Sequence, residues 1–154
     1  MDAIALLKQD HALVKELLSS LADSTTRAVK KRVELLQQIA INLKAHTTIE
    51  EEIFYPAFKA AGQKEEAKMY FEALEEHRAA EDLVLPDLLN TDPSTEQFSG
   101  RAKVLKELIE HHIEEEEKEM FKDAKKLLSK AELTELGQAM AARKEVLIAE
   151  LKRA

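Results

Sequence analysis

Two stretches of this chain carry the same histidine–carboxylate pair, and their recurrence limits the folds open to it. His46 is followed four residues later by Glu50, and His112 four residues later by Glu116. The two pairs stand 66 residues apart, and so do His11 and His77. Each half therefore reads histidine, a second histidine 35 residues on, then a glutamate after four more. Neighbours keep the same offset: Asp10 with Glu76, Glu16 with Asp82, Leu17 with Leu83 and Glu51 with Glu117. A duplicated helical hairpin with approximate two-fold symmetry accounts for this. The offset also chooses between adjacent histidines, because His112 maps onto His46 whereas His111 maps onto Ala45.

The pairs sit inside helical periodicity. With three Gly and three Pro in 154 residues, long helices are favoured over sheets. Residues 2–22 predict a helix with Ile4, Leu7, His11, Val14, Leu18 and Leu21 on one face and Asp2 as its cap. A second helix runs to about residue 60, with Val33, Leu36, Ile39, Leu43, His46 and Phe54 inward and Pro56 kinking or ending its regular part. A third covers 64–89, with Met69, Phe71, Leu74, His77, Val84 and Leu88 inward and Pro86 disturbing its last turn. A fourth covers 95–128 and a shorter fifth 131–151. The expected fold is all-α: an up-down-up-down four-helix bundle over residues 2–128, with an additional C-terminal helix that packs outside it or over one end, capping being favoured over a dimer contact, in one domain over 1–154. In antiparallel helices, residues equidistant from a loop lie level. The midpoints of His46/His77 and His77/His112 fall at 61.5 and 94.5, on the Gly62 break and the Pro93-Ser94 turn. The His11/His46 midpoint falls at 28.5, past the turn residues 23–26, so the first connection extends to about residue 29 or the first helix tilts.

Composition excludes several chemistries. The chain has no cysteine, which removes disulfides, thiolate sites and cysteine nucleophiles. A net charge of −7 argues against general nucleic-acid or anionic-membrane binding. No apolar run approaches membrane-spanning length and the start carries no leader-like pattern, so the expected location is the cytoplasm.

Residues four apart share a helix face one turn apart, so each His-x-x-x-Glu offers an imidazole and a carboxylate to one centre. With His11 and His77, the interior would hold four imidazoles and two carboxylates, too many to bury without a partner. Two divalent metal ions satisfy them, each carboxylate bridging and each metal taking two imidazoles. This mixed nitrogen and oxygen donor set suits iron, manganese or zinc. The candidate ligands are His11, His46, Glu50, His77, His112 and Glu116. Glu81 lies on the same face as His77 and is a further candidate, although its repeat mate, Lys15, cannot ligate while charged. The run around Glu51, Glu52, Glu114, Glu115 and Glu117 is expected to be a mostly solvated face, His111 a surface residue, and Tyr55 part of the core.

The pattern His11, His46-x-x-x-Glu50, His77, His112-x-x-x-Glu116, with the EEEIFYPAF wording after His46 and Glu-Glu-His-Arg around His77, resembles the hemerythrin-like family of HHE cation-binding domains. The resemblance spans about residues 5–125. It implies two non-haem iron ions bridged by both glutamates and an oxo or hydroxo species, and a diatomic ligand or peroxide as the small-molecule partner. Oxygen-carrying members have a histidine where Glu81 stands and an aspartate five residues on where Glu116 stands at four. The more anionic set favours ferric iron and matches the bacterial-type subgroup. The resemblance therefore implies a protein that binds or senses O₂, NO or iron, or alternatively a redox enzyme acting on peroxide or nitric oxide. The expected assembly is a monomer or weak homodimer. A ferritin-like oxidase would need glutamate three residues before each ligand histidine, where this chain has Leu74 and Ile109.

Overall fold

The computed structural model describes residues 1–154. Helix α1 spans Ala3–Asp23, started by Asp2, whose carboxylate accepts from the Ala5 N–H at 2.8 Å. Helix α2 covers residues 29–61, α3 residues 64–89 and α4 residues 96–127. Thr95 caps α4 by accepting from the Phe98 N–H. Helix α5, Lys130–Arg153, begins with a reciprocal cap between Ser129 and Glu132. The connections are short, so consecutive helices run antiparallel, and α1 packs against both α2 and α4 to close the four-helix ring. The first connection does extend to residue 28, which places His11 level with His46. Helix α5 does not cap an end. It lies along the outside of the bundle against α1 and α2.

Neither Pro56 nor Pro86 ends its helix. Each follows a π-helical turn, Glu50–Phe54 in α2 and Ala79–Val84 in α3. There the N–H of Tyr55 donates to the Glu50 carbonyl and that of Leu85 to the Ala80 carbonyl, five residues back rather than four. The wider turn absorbs the missing proline donor and relieves the ring's clash with the preceding turn. A third π turn, Glu116–Met120, has no proline beside it. It lies 66 residues after the first, at the same place in the repeat.

The core is split by a polar layer. One apolar block gathers Leu7, Ala45, Ile49, Phe54, Phe58, Phe121 and, from α5, Leu133, Met140 and Leu147. The other gathers Val14, Leu18, Ile39, Leu43, Leu88, Phe98, Leu105 and Ile109. His11, His46, His77 and His112 sit between them on their four helices, all buried.

Two expected inward residues, Val33 and Phe71, are exposed. Val33 yields its place to Arg32, which is fully buried without a carboxylate partner. Its guanidinium donates to Ser24 Oγ and O, Pro93 O and Ser99 Oγ at 2.7–2.9 Å and lies over the Phe98 ring, tying the first loop to the third. The long apolar stem with a satisfied head explains how a charged residue takes a core position. Phe71 lies outside under Lys59, while the smaller Ala73 faces in. Val146 is exposed beside the buried Leu147.

Helix α5 approaches the start of α1 closely at Gly137. A Cβ there would fall 2.6 Å from the Asp2 carbonyl carbon and 2.7 Å from the Ala3 nitrogen. Gly100, in α4, has open space around it. Gly100→Ala should therefore stabilise the protein by about 0.5–1 kcal/mol. Gly137→Ala should destabilise it by about 1–2 kcal/mol, the overpacking cost exceeding the helix-propensity gain. Thermal unfolding of the two variants, with midpoints moving in opposite directions, checks this.

Candidate metal centre

The polar layer resolves into two donor groups that share Glu50. His11, His46, Glu50 and Glu116 form one; Glu50, His77 and His112 form the other. Within each group the donor atoms lie within 4.8 Å of one another. His46 and Glu50 come from one turn of α2, His112 and Glu116 from one turn of α4. The Nε2 atoms of His46 and His77 lie 3.2 Å from Glu50 Oε1, that of His11 lies 3.1 Å from Glu116 Oε1, and that of His112 3.2 Å from Glu116 Oε2.

These atoms are close without being satisfied. His11 Nε2, His46 Nε2, both oxygens of Glu50 and Glu116 Oε1 are buried and lack a hydrogen-bond partner. Their short approaches are not aligned as hydrogen bonds; the atoms converge on shared points instead. A buried polar atom left alone costs about 1–3 kcal/mol. Nitrogen and carboxylate donors aimed at common points are what divalent cations in a four-helix bundle require, so the residues fit a metal pair.

Every imidazole is oriented from behind. His46 Nδ1 donates to Asp10 Oδ2 at 2.9 Å, and its repeat mate His112 donates to Glu76 Oε1 at 2.6 Å. His11 Nδ1 donates to Glu117 Oε2 and His77 Nδ1 to Glu51 Oε2, both at 2.7 Å. A carboxylate can only accept, so each Nδ1 carries a proton and each Nε2 faces the centre. Glu51 and Glu117, expected on a solvated face, are partly exposed yet have this positioning contact. Their shared 66-residue offset from one another carried the signal.

Tyr55 is buried, as expected, but its hydroxyl reaches the centre. It donates to Glu116 Oε2 at 2.5 Å and lies 3.2 Å and 3.3 Å from His77 Nε2 and His112 Nε2. Its ring stacks on His77, just as its repeat mate Phe121 stacks on His11. The π turn explains why regular periodicity missed the contact, since it aligns residue 55 rather than 54 with Glu50. Glu81 stands aside from both donor groups. Its Oε1 accepts from Thr47 Oγ1 at 2.6 Å, and burial pushes its carboxyl up against that bond's effect. It lines a small cavity bordered by all four site histidines, with Leu43, Ile109 and Ile113 as apolar wall. About 10 Å³ there is open to the centre of a water-sized molecule, close to the least that one water needs. His111 is exposed on the surface, near Glu115 and Glu76.

The profile of the hemerythrin HHE cation binding domain matches residues 2–124, across the four-helix ring and all six converging donors. The chain belongs to this family. The uncharacterized protein Rv2633c of Mycobacterium tuberculosis is 32% identical over 148 residues, covering 96% of this chain and 88% of that one. The crystal structure of a hemerythrin HHE cation binding domain-containing protein from Mycobacterium kansasii, an Rv2633c homolog, superposes with a TM-score of 0.85 at 31% identity, covering 97% of this chain and 89% of that one. A DNA nickase of Nostoc is 28% identical over 116 residues, which are 75% of this chain but 31% of that protein. No helix of this hemerythrin-like chain is long and apolar enough to cross a membrane.

Without metal, the site stores protons. Burial alone pushes His46 down, but the Glu50 and Asp10 carboxylates outweigh it and hold the imidazole up at about 10. His112 and His77 are likewise raised against burial, by Glu116 and Glu76 and by Glu50 and Glu51. Burial would raise Glu116; its contacts to Glu50, His11 and His112 hold it well below the usual carboxylate range. A histidine whose folded value exceeds its unfolded one adds stability that is fully present below the unfolded value and lost as pH rises through the folded one. The metal-free protein should therefore lose stability between pH 6.5 and about 10 on account of His46. Denaturant unfolding in chelator checks this, and His46→Gln should flatten the slope.

Proposed function

We propose that this hemerythrin-like chain binds two iron ions and, at that centre, binds or senses a small ligand such as O₂ or NO, or iron itself. The observation that carries the reading is the set of buried, unpartnered donors: His11 Nε2, His46 Nε2, Glu50 Oε1 and Oε2, and Glu116 Oε1. His11 and His46 would hold one ion, His77 and His112 the other, with Glu50 and Glu116 bridging. Bound iron would supply redox capacity and open positions for an added ligand. The protein's own groups do the rest. The four carboxylates behind the imidazoles fix ring orientation and raise donor strength. Leu43, Ile109 and Ile113 exclude bulk water, and the small cavity admits only a ligand of about water size. Manganese or zinc could occupy the same donor set.

Metal analysis should find two irons per chain, with near-ultraviolet charge-transfer bands that His46→Ala or Glu116→Ala abolishes. An unchanged spectrum in both variants would sink the assignment. Because metal-free His46, His77 and His112 hold protons, loading must release them, so apparent affinity should rise with pH from 6.5 towards about 10 on account of His46. Calorimetry in buffers of different ionisation enthalpy reads the released protons directly.

A second reading, redox turnover of peroxide or nitric oxide, is favoured by Tyr55. Burial, then Glu116 and Glu50, hold its phenol protonated well above the ordinary range. The hydroxyl is thus a fixed hydrogen-bond donor beside the centre, placed where it can steady charge that develops on a ligand during turnover. Adding peroxide to the iron-loaded protein separates the readings: sustained O₂ evolution marks an enzyme. On that outcome, Tyr55→Phe should cut the rate by about 10²-fold or more while leaving iron content unchanged.

A further inference from the structure

The repeat predicts two equivalent halves, and most of the orienting contacts obey it. His11–Glu117 and His77–Glu51 are mates, both at 2.7 Å. The other mated pair, His46–Asp10 and His112–Glu76, is not equivalent. Asp10 is buried, and its second oxygen, Oδ1, meets the ammonium of Lys144. Glu76 has no such cation. Its second oxygen lies 3.9 Å from His111 Nε2, and Glu115 stands beside it, also paired with His111. Lys144 comes from α5, the one helix outside the duplication, and Arg143 of the same turn anchors that helix to Glu52 of α2 at 3.1 Å.

We propose that Lys144 makes the two metal positions inequivalent by offsetting the charge of the carboxylate that orients His46. The proposal rests on the di-iron reading above. An imidazole whose Nδ1–H faces a full carboxylate is a stronger donor at Nε2 and favours the more oxidised metal. An ammonium on the far oxygen of that carboxylate withdraws charge from the chain Asp10–His46. The pair is little screened, since the Asp10 side chain is only 5% exposed. The ion held by His11 and His46 is thereby the easier of the two to reduce. The ion held by His77 and His112, backed by the uncompensated Glu76, stays oxidised longer. Lys144 touches no proposed ligand and acts through Asp10, so it is a positioning residue.

The test compares wild type, Lys144→Met and Lys144→Arg, each loaded with iron, counted per chain, and titrated with reductant while the charge-transfer bands are recorded. Wild type should show two resolved one-electron steps. Lys144→Met should shift the first-reduced step to lower potential and leave the second in place. Lys144→Arg should retain the wild-type separation. A single unresolved step in wild type, or a Lys144→Met variant that moves both steps alike or neither, overturns the proposal. A wild type that holds fewer than two irons per chain ends the di-iron reading itself, and this inference with it. A merely structural role for Lys144 would lower thermal stability without selecting one of the two steps.

Discussion

The structure depends on burying six ionisable side chains in one layer without leaving them to repel or starve. An isolated charge in a dry interior is prohibitively costly. Here each imidazole has a carboxylate behind it and a carboxylate oxygen in front of it, so rings and carboxylates alternate through the layer. The apolar blocks above and below then pack as in any helical bundle. This arrangement neutralises the layer only in part. Five atoms remain without hydrogen bonds. The interior is stable enough to form, yet retains unmet polar demand at two shared points, and a metal pair would meet it.

The helices are modified to bring that layer together. Two of the three π turns begin at the bridging candidates, Glu50 and Glu116, and the third contains Glu81. A π turn forgoes the regular hydrogen-bond register and is costly in an ordinary helix. In α2 and α3 it also lets a proline follow without ending the helix. In α4 no proline is present, so the turn at Glu116–Met120 is not a response to one. What the turns in α2 and α4 share is placement. They bring Tyr55 and Phe121 into stacking range of His77 and His11, walling the centre with aromatic rings.

Much of this was legible in the sequence. Helix number, loop positions and the level of the four histidines follow from periodicity, turn residues and the 66-residue offset. What escaped falls into three physical classes. Arg32 escaped because a hydropathy pattern scores the charge, whereas the fold buries the stem and satisfies the head with backbone and hydroxyl oxygens. Tyr55 escaped because a 3.6-residue period does not describe a turn closed five residues back. Glu51 and Glu117 escaped because half-exposed carboxylates look solvated from one strand of sequence, although their spacing matched that of the histidines they orient. The course of α5 was not legible, since its apolar face fits an end or a flank equally well, and Gly137 shows its contact with α1 only once both helices are placed.

Symmetry explains the founding donor set; departures from symmetry decide what the centre does. A strictly duplicated hairpin would give two equal positions and no preferred route for a proton or an electron. This chain breaks the equality twice. Tyr55 carries a hydroxyl where Phe121 has none, so a held proton lies beside His77 and His112 and not beside His11 and His46. Lys144 meets Asp10 where Glu76 has no such cation, and on the proposal above this lowers donor strength at His46, on the opposite side from the phenol. On the di-iron reading, the more reducible position and the proton-bearing position are therefore different ions of one pair. Iron held there would supply redox capacity, and Tyr55 a hydrogen-bond donor on the side of His77 and His112. That asymmetry supports the redox reading, towards which the symmetric donor set alone is indifferent.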